Sequence, residues 1–378
     1  MKRIYFIPMF AIFFISQIFG NNNENTVGEI HFETLSSHIL VKVKINGSKT
    51  DYNFILDTGG VTFIDKAVAQ DLSLKQNGPM AKVNVLDLAG FQIENVFCFT
   101  TFDFHSLRKL GVPIQGIIGS NLLERFKVTF DFQANTISFS TDTASLIPPD
   151  NGLFFTFRNH PVNNAPIIKF KVNQKTIEGM IDTGQPYSIV LPFKDFENYK
   201  ESDISGFIQS KGLMIKWPNT SPDFNYLAKL NSCEFNNQKI ADMVCIFGEP
   251  PAMLSMPLIG MDLLSQYKIV INYPKDEMIW IPNPDSHFKN NIFSIGLNLN
   301  LSEDGDIFVE GVWQDSPADK QNIQVGDHII AYNSKKLSSE NLMNLIELMK
   351  DDQVKSISLE VKNQNGTRNL KLNKTMLF

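Results

Sequence analysis

From residue 39 the chain alternates apolar and polar positions with the two-residue period of a half-buried strand. Ile39, Val41, Val43 and Ile45 fall on one side, Lys42 and Lys44 on the other. Asn46-Gly47 then marks a turn, and Phe54-Ile55-Leu56 begins a second apolar run. Short runs of this kind, punctuated by turn dipeptides such as Asn77-Gly78, continue to about residue 283 and predict a mainly β protein. Leu122-Leu123 and Leu263-Leu264 break the rhythm, and each predicts one short helix. Beyond residue 286 the pattern changes. Between Ser338 and Lys350, residues Leu342, Leu345, Ile346 and Met349 recur at helical spacing. Ser338 or Ser339 stands where a cap is expected, and Asn341 and Asn344 lie on the polar side.

The pattern also repeats itself. Ile39 to Gly47 leads into Phe54-Ile55-Leu56-Asp57-Thr58-Gly59. Ile167 to Asn173 leads into Gly179-Met180-Ile181-Asp182-Thr183-Gly184. Each copy has a matching later half. Ile117-Ile118-Gly119-Ser120-Asn121-Leu122-Leu123 answers Leu258-Ile259-Gly260-Met261-Asp262-Leu263-Leu264, and each is followed by an aromatic residue and a lysine. The second copy carries a longer stretch between its halves, which a surface loop absorbs. The first repeat spans 26–146 and the second 153–283. Pro148-Pro149-Asp150-Asn151-Gly152 links them, and Pro282, Pro284 and Asp285 close the second.

A duplicated Asp-Thr-Gly loop has a chemical use. Two carboxylates held within hydrogen-bonding distance cannot both ionise, so they share a proton. One then acts as base towards water while the other acts as acid towards a carbonyl oxygen. The glycine lets backbone N–H groups approach the carboxylate, and the threonine hydroxyl can tie one loop to the other. One such triplet is weak evidence. Two, each after an apolar strand and each followed by Ile-Gly-x-x-Leu-Leu, are strong.

On these residues the chain resembles the pepsin–retropepsin superfamily of aspartic peptidases, and most closely the exported bacterial members that carry a C-terminal PDZ domain. The resemblance implies a bilobal acid-protease-like β-barrel fold built from the duplication. It implies that Asp57 and Asp182 are catalytic, that Thr58 and Thr183 interlock the loops, and that Gly59 and Gly184 bring backbone close. Ile118-Gly119 and Ile259-Gly260 would pass beside the loops, and Ile189-Val190-Leu191-Pro192 matches the apolar run that often follows the second motif. The substrates would be polypeptides, and neither a metal nor an organic cofactor is called for. Family spacing puts flap hairpins near Gly78–Leu86 and Asp203–Gly212, and neither contains a tyrosine. The chain also departs from the family after each triplet. Gly60 and Gln185 stand where Ala, Ser or Thr is usual, and Gln185 is a potential modulator that can reach a carboxylate, a substrate or its own loop.

Composition adds bounds. At 378 residues the chain is long enough for two or three domains, and an apolar share of 43% with 31 phenylalanines supplies aromatic-rich cores. The net charge of −6 and the absence of a basic run argue against a nucleic-acid partner. Lys2 and Arg3, the apolar Ile4 to Phe19, the small Gly20 and the polar Asn21 to Asn25 read as an export signal over residues 1–20. This predicts a periplasmic or extracellular protein with no stable membrane span once the signal is removed. An uncleaved anchor is the second reading, because the apolar stretch is short for a span. No cysteine near residue 20 offers a site for lipid. Cys233 and Cys245 flank Asn236-Asn237 and either pair across a hairpin or, with Cys98, remain buried free thiols.

Residues 286–378 carry a second pattern: Ile295-Gly296-Leu297, then Ser316-Pro317-Ala318, then Val325-Gly326-Asp327-His328-Ile329. It resembles bacterial PDZ domains and implies a small α/β unit, expected to fold separately. The Ile295-Gly296-Leu297 loop would then receive the carboxylate of a protein C-terminus, the peptide adding as a strand beside the long helix. Two functions compete: an aspartic endopeptidase, and a non-catalytic protein that keeps the cleft and captures polypeptides. A PDZ-bearing serine protease is excluded by the lack of Gly-x-Ser-x-Gly.

Overall fold

The computed structural model describes residues 27–215, 223–249 and 255–378. The stretch read as an export signal lies outside the described residues. The architecture is mainly β, with 49% strand and 13% helix.

Each repeat lays down eight strands in the same order, as a sheet of its own in the first and as part of a larger sheet in the second. In the first, strand His38–Ile45 pairs with Tyr52–Asp57, which runs parallel to Gly116–Gly119. The sheet closes where Lys44 and Ile45 meet Asp87 and Leu86. In the second, Pro166–Val172 pairs with Lys175–Ile181, which runs parallel to Leu258–Ile259. Lys171 and Val172 close it against Glu234 and Cys233. The alternation in the sequence accounts for this. Val41, Val43 and Ile45 are buried and the lysines between them are exposed. Each buried aliphatic or aromatic side chain contributes about 1.5–3 kcal/mol relative to exposure.

A six-stranded sheet joins the halves, three strands from each. At its centre Lys127–Asp131 lies antiparallel to Tyr267–Asn272, with Val128 opposite Ile271 and Phe130 opposite Ile269. Phe130, Phe139, Tyr267 and Trp280 are fully buried within one core that runs through both halves. The short helices expected after each Ile-Gly are Ser120–Leu123 and Met261–Leu264.

The C-terminal unit has its own core, around Ile295, Leu299, Val309, Leu345 and Leu359. Its helix, Leu342–Lys350, begins later than the serines suggest. Asn341 occupies the cap position without capping the helix. Its side chain is instead committed to the preceding turn, accepting from Ser338 N at 2.9 Å and donating to Lys336 O at 3.0 Å. The sequence boundary near 286 separates cores but not backbone pairing. Strand Ile204–Gly212 of the second repeat pairs with strand Ile307–Trp313, with Ser210 opposite Trp313 and Gly212 opposite Gly311. One 14-stranded sheet therefore runs through both units, and the C-terminal unit is not freestanding. Among the described residues no helix is long and apolar enough to cross a membrane.

Candidate active site and peptide groove

Strands Tyr52–Asp57 and Lys175–Ile181 deliver the two triplets to one place. The loops interlock reciprocally. Thr58 N donates to Thr183 Oγ1 at 3.0 Å, and Thr183 N donates to Thr58 Oγ1 at 3.0 Å. Each hydroxyl then donates across the junction, Thr58 to Ile181 O at 2.8 Å and Thr183 to Leu56 O at 3.0 Å. Both threonines are fully or almost fully buried, so these four bonds satisfy groups that water cannot reach.

The carboxylates of Asp57 and Asp182 lie within hydrogen-bonding reach of each other. Gly59 N donates to Asp57 Oδ1 at 2.8 Å and Gly184 N to Asp182 Oδ1 at 2.9 Å. A Cβ on Gly59 would sit 2.4 Å from Asp182 Cγ, and one on Gly184 would sit 2.6 Å from Asp57 Cγ, so each loop packs on the opposite carboxylate and only glycine fits. Gly119 and Gly260 approach as closely from behind. A Cβ on Gly119 would lie 2.5 Å from Gly60 O, and one on Gly260 would lie 2.4 Å from Gln185 O. Burial pushes Asp57 above the ordinary carboxylate range despite three backbone N–H donors. Burial and then the charge of Asp57 push Asp182 up as well. Both carboxyls are therefore held more readily protonated than free aspartates, and they titrate as a pair and not as separate groups.

Gly60 and Gln185, the two departures, resolve differently. A Cβ at Gly60 would lie 2.8 Å from Asp57 Oδ2, so a side chain there would crowd the carboxylate. Gln185 is buried, and its Oε1 accepts from Tyr187 N at 3.3 Å, so the side chain serves its own loop.

Other supports are not legible in the motifs. Ser120 Oγ donates to Thr58 O at 2.7 Å and lies 3.0 Å from the Tyr273 hydroxyl. Asn163, buried in a turn of the second repeat, donates from Nδ2 to Gly59 O at 2.5 Å. Both hold carbonyls of the Asp57 loop, and Asn163 Nδ2 also lies 3.9 Å from Met180 Sδ on the strand that leads to Asp182. The residue matching Ser120 in the second copy is Met261, so the repeat gives no signal for this contact.

The expected flap regions also differ. Gly78 sits at φ 58° in the turn between Lys75–Asn77 and Met80–Leu88, as a hairpin tip requires. Strand Ile204–Gly212 pairs with Tyr226–Phe235 on one edge and with the C-terminal unit on the other. Met214, just beyond it, is buried beside Trp313, and its carbonyl accepts from the Tyr187 hydroxyl at 3.4 Å.

The three cysteines are free and buried. Cys233 and Cys245 do lie on one hairpin, but Cys233 faces Ile240 and Cys245 faces Ala228, so the register keeps them from pairing. Burial pushes the Cys98 and Cys233 thiols up to about 12, so neither is a nucleophile at neutral pH.

In the C-terminal unit, Ile295 is fully buried and its carbonyl accepts from Ala318 N at 3.0 Å. Gly296 takes φ 86°, and a Cβ there would lie 2.2 Å from Ser316 Oγ, so the Ser-Pro-Ala helix start and the glycine loop are matched to each other. Leu297 opens the strand Leu297–Leu301, whose one paired edge faces Ile307–Trp313. Strand and helix Leu342–Lys350 contribute to the same apolar core. No curated protein matches the chain. A PDZ domain family profile does match, over residues 287–362, which takes in the glycine loop, the strand beside it and the long helix. Residues 287–362 are therefore a PDZ domain, a module that binds peptide C-termini.

Proposed function

We propose that the chain is an exported aspartic endopeptidase of the acid-protease fold, hydrolysing peptide bonds through Asp57 and Asp182. The single observation behind this reading is the reciprocal Thr58–Thr183 lock, which holds two buried carboxylates close enough to share a proton. A structural role alone would not call for two desolvated aspartates face to face, because buried like charges are costly.

In this mechanism the extended polypeptide crosses the cleft between the halves. Asp57, ionised, takes a proton from a water. The water oxygen forms a bond to the scissile carbonyl carbon as Asp182 gives its proton to the carbonyl oxygen. The resulting diol collapses as Asp57 gives its proton to the amide nitrogen, Asp182 takes one from a diol hydroxyl to re-form the carbonyl, and the C–N bond breaks. Substrate or partner C-termini dock on the PDZ domain. Cleavage of a mixed peptide library by the mature chain, beside Asp57→Asn and Asp182→Asn, tests the assignment. Wild-type cleavage lost in both variants supports it. A library untouched by the wild type at every pH leaves the non-catalytic capture reading.

A further inference from the structure

The groove of the PDZ domain is already filled. Its walls are strand Leu297–Leu301 and helix Leu342–Lys350, and the turn Phe104–Leu110 of the first repeat lies against both. Leu110 of this turn and Met343 of the helix share an apolar cluster with Leu40, Ile55 and Ile117. Ile346 packs at once on that cluster and on the PDZ core. The first repeat therefore seals the groove with its own apolar surface.

Polar contacts close the rest of the helix face. Ser36 N donates to Glu347 Oε1 at 3.1 Å, and Lys350 Nζ donates to Ser36 Oγ at 2.9 Å. In the glycine loop, Gly296 N donates to Ser294 Oγ at 2.9 Å, so an N–H that a peptide carboxylate would take is already satisfied. A peptide strand and the 104–110 turn compete for the same space between strand and helix.

We propose that the first repeat autoinhibits the PDZ domain: the 104–110 turn occupies the groove in cis, and a polypeptide with an apolar C-terminal residue and free carboxylate binds only by displacing it. The apparent affinity for such a peptide is the intrinsic affinity reduced by the fraction of molecules whose turn is displaced. Binding and turn packing are therefore linked in both directions. The proposal rests on the PDZ domain and not on the chemistry at Asp57 and Asp182, and its readout is binding.

The geometry offers a lock. A Cβ built on Gly111 lies 3.4 Å from Met343 Cβ, close to the spacing of a disulfide. Gly111 has φ 74°, where a side chain is strained, so the reduced form of the same variant is the reference. The full chain carrying Gly111→Cys and Met343→Cys is titrated, oxidised and reduced, with a fluorescent decapeptide ending in a free Val carboxylate and with its C-terminal amide. The oxidised form is expected to bind the acid at least about tenfold more weakly than the reduced form. In a second variant, Leu107→Ser weakens the turn and is expected to tighten binding by about tenfold or more. Equal binding by oxidised and reduced forms, equal binding of acid and amide, or no binding by any form overturns the proposal.

Discussion

The two halves have the same strand order and the same interlocked loops, yet their surroundings differ. The Asp57 loop is held by Ser120, with Tyr273 behind it, and by Asn163 reaching over from the second repeat. The Asp182 loop has none of these and relies on Gln185 bonding within its own turn. The edge strands differ in the same sense. The strand Lys75–Asn77 ends its sheet, whereas Ile204–Gly212 continues into the PDZ sheet. Duplication produces the symmetric part, which the proposed proton-sharing pair requires. The asymmetric part comes from neighbours that were never duplicated. It leaves one half braced at its loop and the other braced at its edge.

The largest expected effect removes the symmetry at its centre. Asp57→Asn and Asp182→Asn should each lower kcat/KM by about 10²–10⁴-fold or more with unchanged melting temperature, since each carboxyl takes a separate proton-transfer role. A single variant retaining near-wild-type cleavage would break the equivalence of the two halves.

The pH profile sharpens the same point. In the proposed mechanism the pair needs one proton, so activity should fall on the acid side as both groups protonate and on the alkaline side as both ionise. Burial raises both groups above the ordinary value of 3.8, so both limbs should lie above it. A kcat/KM maximum at or below that value would contradict the desolvated pair.

Stability should then separate shared from unshared contacts. Thr58→Val and Thr183→Val should cost similar amounts, about 2–4 kcal/mol each, because each removes a donor and an acceptor from buried partners. Ser120→Ala should cost about 1–2 kcal/mol, whereas Met261→Ser in the second half should bring no gain, because no duplicated partner awaits it. Urea unfolding measures both series. Unequal losses at the threonines, or stabilisation by Met261→Ser, would place the asymmetry elsewhere.

A pH-linked effect concerns the contact between the first repeat and the PDZ helix. Burial, followed by the nearby positive charge of Lys350, lowers His38 from 6.5 to about 4. Between those values the unfolded chain binds a proton that the folded chain does not, so stability rises with pH across this window and is lost as pH falls through it. Melting temperatures at pH 4.5 and 7 should differ less in His38→Gln than in the wild type. An identical pH dependence in both would remove His38 from the interface balance.

Much of this was readable in the chain itself. Val41, Val43 and Ile45 alternate because one face of their strand is buried. The two Asp-Thr-Gly triplets and the paired Ile-Gly segments recur because each half repeats the same local geometry. The cysteine register was not readable, since which residues face each other across a hairpin depends on the whole pairing from Tyr226 to Gly248. Nor was the helix start at Leu342, where Asn341 bonds backward into its turn instead of capping.

Local pattern thus determined the strands, the short helices, the core faces and the residues able to form a proton-sharing pair. These follow from periodicity, side-chain size and backbone freedom, all carried by near neighbours. Tertiary structure alone decided that Ile204–Gly212 would join Ile307–Trp313, that Asn163 would brace the opposite loop, and that the 104–110 turn would lie against the strand and helix of the PDZ domain. Backbone N–H and C=O groups on an edge strand are the same whatever the side chains, so the sequence holds no code for which edge meets which. An apolar turn such as Phe104–Leu110 likewise needs burial, and only the packed molecule shows what buries it.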